Sequence, residues 1–421
     1  MDDRSNAGLR DIAIAEDGAK ERSASSRSRR GLDWFVFFVA DVQTGFGPFV
    51  AVYLTAQKWT QTDIGLILTV GGLISLFGQI PGGAILDAMR SPRLAAAVSV
   101  VLIGISALIL ALWPIFPAVL ASRVLQASAS CILGPAIAAL SLGLVRRNEI
   151  GERLGRNGSF ASVGTGLAAA GMGACGYYIS NQAVFFVTAA FVVPAMISLL
   201  QISRRDIDAD RAHGGTKAQP LTLAAVKSLL TNRTLAIFAL CVLLFHLANA
   251  AMLPLVASML TLQSSESSSA LIAVAMVVPQ FIVAILSPTV GRKAQQWGRR
   301  PLLLIGFSAL VIRGVLFAAV TPSELIVAVQ ILDGISAATL GVLVPLSIAD
   351  ITRNSGRFNL TQGLVGCAMG IGASISTTLA GILSDRFSSS FTFLVLGAIA
   401  AIGLAAVWRL MPETRPAPDG S

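Results

Sequence analysis

The sequence predicts an all-α membrane protein, with twelve transmembrane helices in two pseudo-symmetric halves of six. Composition is the first reason. Mean hydropathy is +0.75, 54% of the 421 residues are hydrophobic and 13% are charged, where an average soluble domain carries roughly 25% charged residues. A chain this apolar cannot cover a water-facing surface, so lipid must be its outer solvent. An internal repeat is the second reason. GGAILDAMRSPR at 82–93 and GRKAQQWGRRP at 291–301 stand about 208 positions apart, each after a proline (Pro81, Pro288) and each between long apolar runs. One glycine-led, Arg-rich loop per half signals duplicated halves related by an axis along the membrane normal. Charge is the third reason: with twelve spans every strongly basic loop falls on one side, the positive-inside pattern.

Taken in order, residues 1–32 are polar, end in an Arg/Ser run and read as a disordered cytosolic tail. No cleavable signal peptide is evident. The apolar runs place spans at 33–56, 63–87, 94–113, 115–145, 159–179 and 183–203, the N-terminal half. The connector 204–233 holds Arg204, Arg205, Asp206, Asp208, Asp210, Arg211 and Lys217 and is expected to be solvated, with LTLAAVKSLL at the interface before the seventh span. The C-terminal half follows at 234–258, 269–291, 301–320, 323–349, 360–383 and 388–410, and residues 411–421 form a cytosolic tail. The repeat extends into the spans. Pro48 matches Pro254, which sets Gln43 opposite Asn249; RVLQA (123–127) matches QILDG (330–334); and GTGLAAAGMG (164–173) resembles GCAMGIGAS (366–374). The glycines permit close helix contact, either between the halves or as plain packing.

Several function classes are excluded. The net charge of +9 sits in loops on one side, which speaks for topology and against nucleic acid. The opposite loops hold only Lys58 and Arg386, so both termini are expected in the cytoplasm. The four cysteines (Cys131, Cys175, Cys241, Cys367) lie in apolar runs without metal-ligand spacing. No nucleophile–base set, metal cluster or phosphate loop is present, so neither an enzyme nor a cofactor is expected, and gradient energy is the implied driving force.

The loop at Gly83, Asp87, Arg90 and Arg93, its second copy at Gly291, Gly298, Arg299 and Arg300, the fourth-span Arg123 and Gln126, and the long central connector together resemble the major facilitator superfamily over nearly the whole chain after residue 30. Arg90 stands where the family signature has a second glycine, Gln295 replaces the acidic residue of the second copy, and the fifth span lacks the Gly-Pro pair usual in drug:proton exporters. The resemblance implies alternating access between two halves, a small-molecule substrate, a monomer, and a cavity lined by the first and fourth helices. It also implies that Asp87 lies at the start of the eleventh helix, around Asn359 and Thr361, as a latch between the halves. The alternative is a plain loop cap. Arg90 and Arg93 are expected to pair with Asp87.

Charges inside spans are costly facing lipid, from about 2.5 kcal/mol upward, so Asp41, Arg123, Asp333 and Arg313 should face a cavity or a partner. Asp41 and Arg123 each lie eight residues into their spans from opposite faces, about 12 Å deep, which predicts a charge pair that either couples protons or only orders the bundle. Asp333 occupies the place of Gln126 in the second half, with Arg313 either its partner or snorkelling outward. His246 and Asn249 are one turn apart on the seventh span and are expected, with Gln43 and Gln126, to offer hydrogen bonds to a substrate; helix–helix bonding is the alternative. The reading is a proton-coupled secondary transporter in an inner or plasma membrane, leaning to efflux by antiport. The alternatives are uptake of a metabolite by proton symport and, in another class, a membrane sensor that has lost transport.

Overall fold

A computed structural model describes residues 24–46, 48–89, 91–214, 227–229, 231–263, 268–353 and 355–416. The segment 1–23, Arg90, Lys217 and most of the stretch expected at the interface lie outside the described residues. Among those described, all regular structure is helical.

Among the described residues, ten helical runs are long and apolar enough to cross a membrane. The second span is a further one in two pieces, Gln61–Phe77 and Gln79–Ala88, bent by 49°. Pro81 causes the bend: it has no N–H for the Phe77 carbonyl, and its ring crowds that carbonyl. The fifth span, Ile150–Tyr178, completes twelve. Its helix starts earlier than hydropathy suggested, because Glu152, Arg153 and Arg156 belong to it. Large apolar side chains such as Phe77, Phe281 and Ile402 are exposed along the outside of the bundle, as lipid-facing residues must be.

The repeat governs the packing. The first helix packs on the fifth and sixth, the third on the fourth and sixth, and the second on the fourth. The seventh likewise packs on the eleventh and twelfth, the ninth on the tenth and twelfth, and the eighth on the tenth. The halves meet through the second and eleventh helices and through the fifth and eighth. Both contacts are backbone-close. A Cβ on Gly83 would strike the carbonyl of Asn359, and one on Gly291 would strike that of Gly151; Gly363 and Gly155 stand likewise against the carbonyls of Gln79 and Ser287. Every partner in the first contact has its mate 208 positions away in the second. The expected glycine role is thus split. Gly164 and Gly372 lie within a half, against the carbonyls of Phe37 and Leu243, while Gly166, Gly171 and Gly173 meet nothing within 4 Å.

The chain ends and the connector close onto the Arg-rich face. The first helix begins at Ser26, inside the expected tail, because Ser25 caps it through Ser28 N (3.2 Å). The hydroxyls of Ser25 and Ser28 donate to Asp206 (2.6 and 2.7 Å) and hold its carboxyl below the usual carboxylate range. The connector is not solvated throughout. Asp208 N donates to Gly143 O (2.9 Å), Arg211 Nη1 donates to Val145 O (3.1 Å), and Ala212 and His213 are buried. Arg204, Arg205 and Asp210 are exposed while Ala212 and His213 fill the seam beneath, which composition alone cannot show. In the C-terminal segment, Glu413 accepts from the backbone N of Arg299 (2.8 Å) and Arg300 (3.0 Å), capping a ninth helix whose own first residues offer no acceptor.

Gly363→Val is expected to lower the melting temperature of detergent-purified protein, since overpacking costs roughly 1–3 kcal/mol. Gly381→Ala, at a position with open space, should be neutral. An unchanged melting temperature for Gly363→Val would refute the close contact between the halves.

Candidate functional site

The eleventh helix, Phe358–Arg386, starts behind Arg357, whose side chain makes no cap. Its first donors are met from the other half. Asp87, at the end of the second helix and 2% exposed, accepts from the backbone N of Leu360 (2.8 Å) and Asn359 (3.3 Å) and from Asn359 Nδ2 (2.7 Å). A carboxylate at a helix start is favoured by unpaired N–H groups and by the dipole. Thr361 is not part of this contact; its hydroxyl donates to Arg357 O (2.9 Å). Arg93 does not pair with Asp87 either. It donates to the carbonyls of Leu199 (3.2 Å) and Leu200 (3.3 Å), the last of the sixth helix, because those orphan carbonyls lie beside the start of the third helix. His213, 3% exposed, sits 3.5 Å from both Asp87 Oδ1 and Asn359 Nδ2.

The second copy of the loop is built differently. Arg299 is buried and grips Asp350 (2.8 and 3.4 Å) while donating to Ala294 O (2.7 Å) and Gln295 Oε1 (3.3 Å). Arg300 reaches the carbonyl of Trp408 near the end of the twelfth helix. Gly298 turns the chain with φ +96°, a conformation open to glycine and strained for other residues.

Deeper in the N-terminal half, Asp41 and Arg123 do not form the expected pair. Arg123 Nη1 donates to Gln126 Oε1 (3.0 Å) and Phe46 O (3.4 Å), with its guanidinium over the Phe46 ring, and Gln126 Nε2 donates on to Ser130 Oγ (3.0 Å). The break after Thr44 in the first span leaves the Phe46 carbonyl for Arg123. Asp41 is 2% exposed and its Oδ1 has no partner. Equal depth set the two charges level; direction around the helix axis, which depth does not report, keeps them apart. Gln43 is exposed.

In the C-terminal half, Arg313 points inward and does not snorkel. It is 1% exposed, with Nη1 donating to Asp333 Oδ1 (2.6 Å) and Asn249 Oδ1 (2.5 Å), Nη2 donating to Gln330 Oε1 (2.9 Å), and its guanidinium over Phe317. Asn249 is therefore engaged with Arg313. His246, expected beside it, turns to its own helix, with Nδ1 3.0 Å from Val242 O. The seventh span breaks in the same way, between Arg233–Asn249 and Met252–Gln263, so each half ties one deep guanidinium near the break of a span, Arg123 at Phe46 and Arg313 at Asn249.

The sequence profile of the Major Facilitator Superfamily matches residues 34–267 and 238–421. The chain belongs to the major facilitator superfamily. An uncharacterized MFS-type transporter of Mycobacterium tuberculosis is 36% identical over 398 residues, covering 92% of this chain and 94% of the relative. A chloramphenicol resistance protein of Pseudomonas aeruginosa is 32% identical over 128 residues, 30% of each chain. Among solved structures, the MFS transporter FucP in its outward conformation superposes with a TM-score of 0.71 at 15% identity, covering 91% of this chain and 97% of that one. The proton:xylose symporter XylE superposes at 0.65 and 16%, covering 92% and 95%. These two show the fold alone. The chain is a multi-pass membrane transporter of this superfamily.

Two clusters escaped the sequence reading. Asp33, taken as a span boundary, is buried and held by Arg153 and by Arg156 (2.7 Å), with Asn157 accepting from Arg153 Nε (3.0 Å) and donating to Ser141 (2.6 Å). Its signal was an arginine pair one turn apart just before the fifth span, facing an acid just before the first. His213 gave no signal, since nothing in a polar connector marks which residue folds inward.

Arg313→Ala should cost about 3 kcal/mol, because it empties a buried position and leaves the partly buried Asp333 without its partner. The double variant Arg313→Met/Asp333→Leu should be milder. Chemical unfolding in detergent compares them, and a single variant no worse than the double would refute a stabilising Arg313–Asp333 pair.

Proposed function

We propose that this superfamily member is a proton-coupled secondary transporter that expels small amphipathic organic molecules by alternating access, with its Arg-rich face and both termini in the cytoplasm. One observation carries the coupling: Asp41 is a buried carboxyl with a partnerless oxygen, deep in a half whose arginine is tied to other groups. A carboxyl not clamped by a guanidinium can take and release a proton as water reaches it from alternate sides. Asp333, clamped by Arg313 here, is a second coupling site that opens only when that bond rearranges. Exposed Gln43 and the Arg123–Gln126–Ser130 chain face the substrate, with His246 offering Nε2.

The Asp87 contact and the glycine crossings close the Arg-rich face, which supports an outward-facing state in which Asp87 acts as the cytoplasmic latch. The concentration of loop arginines on this face supports its cytoplasmic placement. The partial match to a chloramphenicol resistance protein and the scarcity of charge in the centre support efflux.

Proteoliposomes with an internal pH dye, challenged with amphipathic cations, sugars and organic acids, test the reading. A compound-driven proton flux opposite to the compound gradient is expected. Flux in the same direction would replace antiport by symport, and compound binding without any flux would favour a sensor. Asp41→Asn is expected to abolish the proton flux while the protein still inserts and melts normally; normal flux in that variant would refute the coupling role. Arg123→Ala leaves the environment of Asp41 unpaired as before, so it should impair substrate response more than folding.

A further inference from the structure

The eleventh helix has its first three amides met from outside the C-terminal half. Asp87 takes those of Asn359 (3.3 Å) and Leu360 (2.8 Å). The amide before them, Phe358 N, donates to the carbonyl of His213 in the connector (3.4 Å). Thr361 N is the first to find a carbonyl in its own half, Arg357 O (3.1 Å). The other crossing is built differently. Ile150, the mate of Phe358 208 positions away, donates its N–H to Arg147 O in the turn just before the fifth helix. At the Asp87 crossing the connector takes the part of that turn.

This piece of the connector is fixed to the N-terminal half. Asp208 N donates to Gly143 O (2.9 Å) and Arg211 Nη1 to Val145 O (3.1 Å), at the end of the fourth helix. The approach is close: a Cβ on Gly143 would lie 2.9 Å from the Ile207 side chain and 3.0 Å from Asp208 O. Asp208 also accepts from Arg211 N (2.9 Å), which caps the helical turn Ala209–Ala212 and carries the chain to His213. Gly214 then turns the chain with φ +99°, a conformation strained for other residues, and a Cβ there would lie 3.2 Å from Thr352 O. His213 therefore stands where a segment held by the N-terminal half reaches the C-terminal half.

The ring joins the contact as well. Its Nδ1 is 3.5 Å from both Asp87 Oδ1 and Asn359 Nδ2, the outer limit of a hydrogen bond. With Nδ1 unprotonated the ring accepts from Asn359; with Nδ1 protonated it donates to Asp87. Either form holds the amide and the carboxylate against each other. Asn359 depends on that support, because its Oδ1 is buried with no donor among the described residues, so Nδ2 alone fixes its orientation. We propose that His213 is a positioning residue of the cytoplasmic latch: it aims Asn359 at Asp87, and opening of the Arg-rich face requires the connector to leave the eleventh helix together with Asp87. The connector is then an arm of the latch and not a passive tether. This rests on the reading of Asp87 as the latch, and the experiment separates the two.

Hydrogen–deuterium exchange of full-length protein in nanodiscs, read by mass spectrometry, follows opening at the start of the eleventh helix (358–363) and, at the other crossing, at the start of the fifth (150–156). His213→Ala is expected to speed exchange about tenfold in both peptides, the effect of losing one hydrogen bond to a charged group. His213→Leu, which keeps much of the volume without the polar atom, should do the same. His213→Asn, which returns a polar atom near the place of Nδ1, should restore most of the protection. Asp87→Asn should speed both peptides, and His213→Ala added to it should have less effect than alone, since the two act on one contact. A rise confined to 358–363, or equal rises in the Ala and Asn variants, would reduce His213 to local packing and overturn the proposal. No rise with His213→Ala and His213→Leu beside a clear rise with Asp87→Asn would overturn it while leaving the latch standing. No rise in either peptide with Asp87→Asn would refute the latch, and this inference with it.

Discussion

The start of the eleventh helix has donors that its own sequence cannot satisfy, and Asp87 satisfies them from the other half of the molecule. Leaving a buried donor unmet costs about 1–3 kcal/mol, so this contact resists separation of the halves on the Arg-rich face. It needs the second and eleventh helices to approach at backbone distance, which glycine at 83 and 363 allows. The bend before Pro81 directs the end of the second helix, and with it Asp87, at that seam. The buried His213 then brings the connector onto the same contact, so the link between the halves also touches the closure.

The fifth–eighth crossing repeats this geometry with different chemistry. Backbone approach is preserved through Gly151, Gly155 and Gly291, but the carboxylate is gone, with Gln295 at the place of Asp87. Duplication copied the shape of the seam while its charges diverged. One crossing carries a carboxylate on a helix start, and the other carries a neutral amide at the matching place.

Inside the spans, the cost of buried charge sorts the ionisable groups into two kinds. Asp33 and Asp333 are clamped by arginines and tie helices together, on the first–fifth and the ninth–tenth contacts. Arg123 donates from Nη1 to neutral groups, a glutamine and a backbone carbonyl, and not to Asp41. The deep aspartates thus differ in neighbours more than in depth, and the unclamped one is suited to proton exchange.

Span number, the twofold repeat and the gathering of arginines on one face were legible in the sequence, because hydropathy, loop motifs and loop charge are properties of segments and survive without coordinates. The approach of Asp87 to Asn359 was legible only through family resemblance. Helix starts were less legible: the first and fifth helices begin earlier than their apolar runs, since Ser25, Arg153 and Arg156 find partners across the fold. Which charges meet was decided by tertiary structure alone. Asp41 and Arg123 share a depth but not a direction, Arg313 turns inward to three partners, and Arg93 caps the sixth helix. Periodicity along one helix gives depth and relative face; the rotation that aims a face at a neighbour comes from packing all twelve helices together, so the pairing of their charges had to wait for the fold.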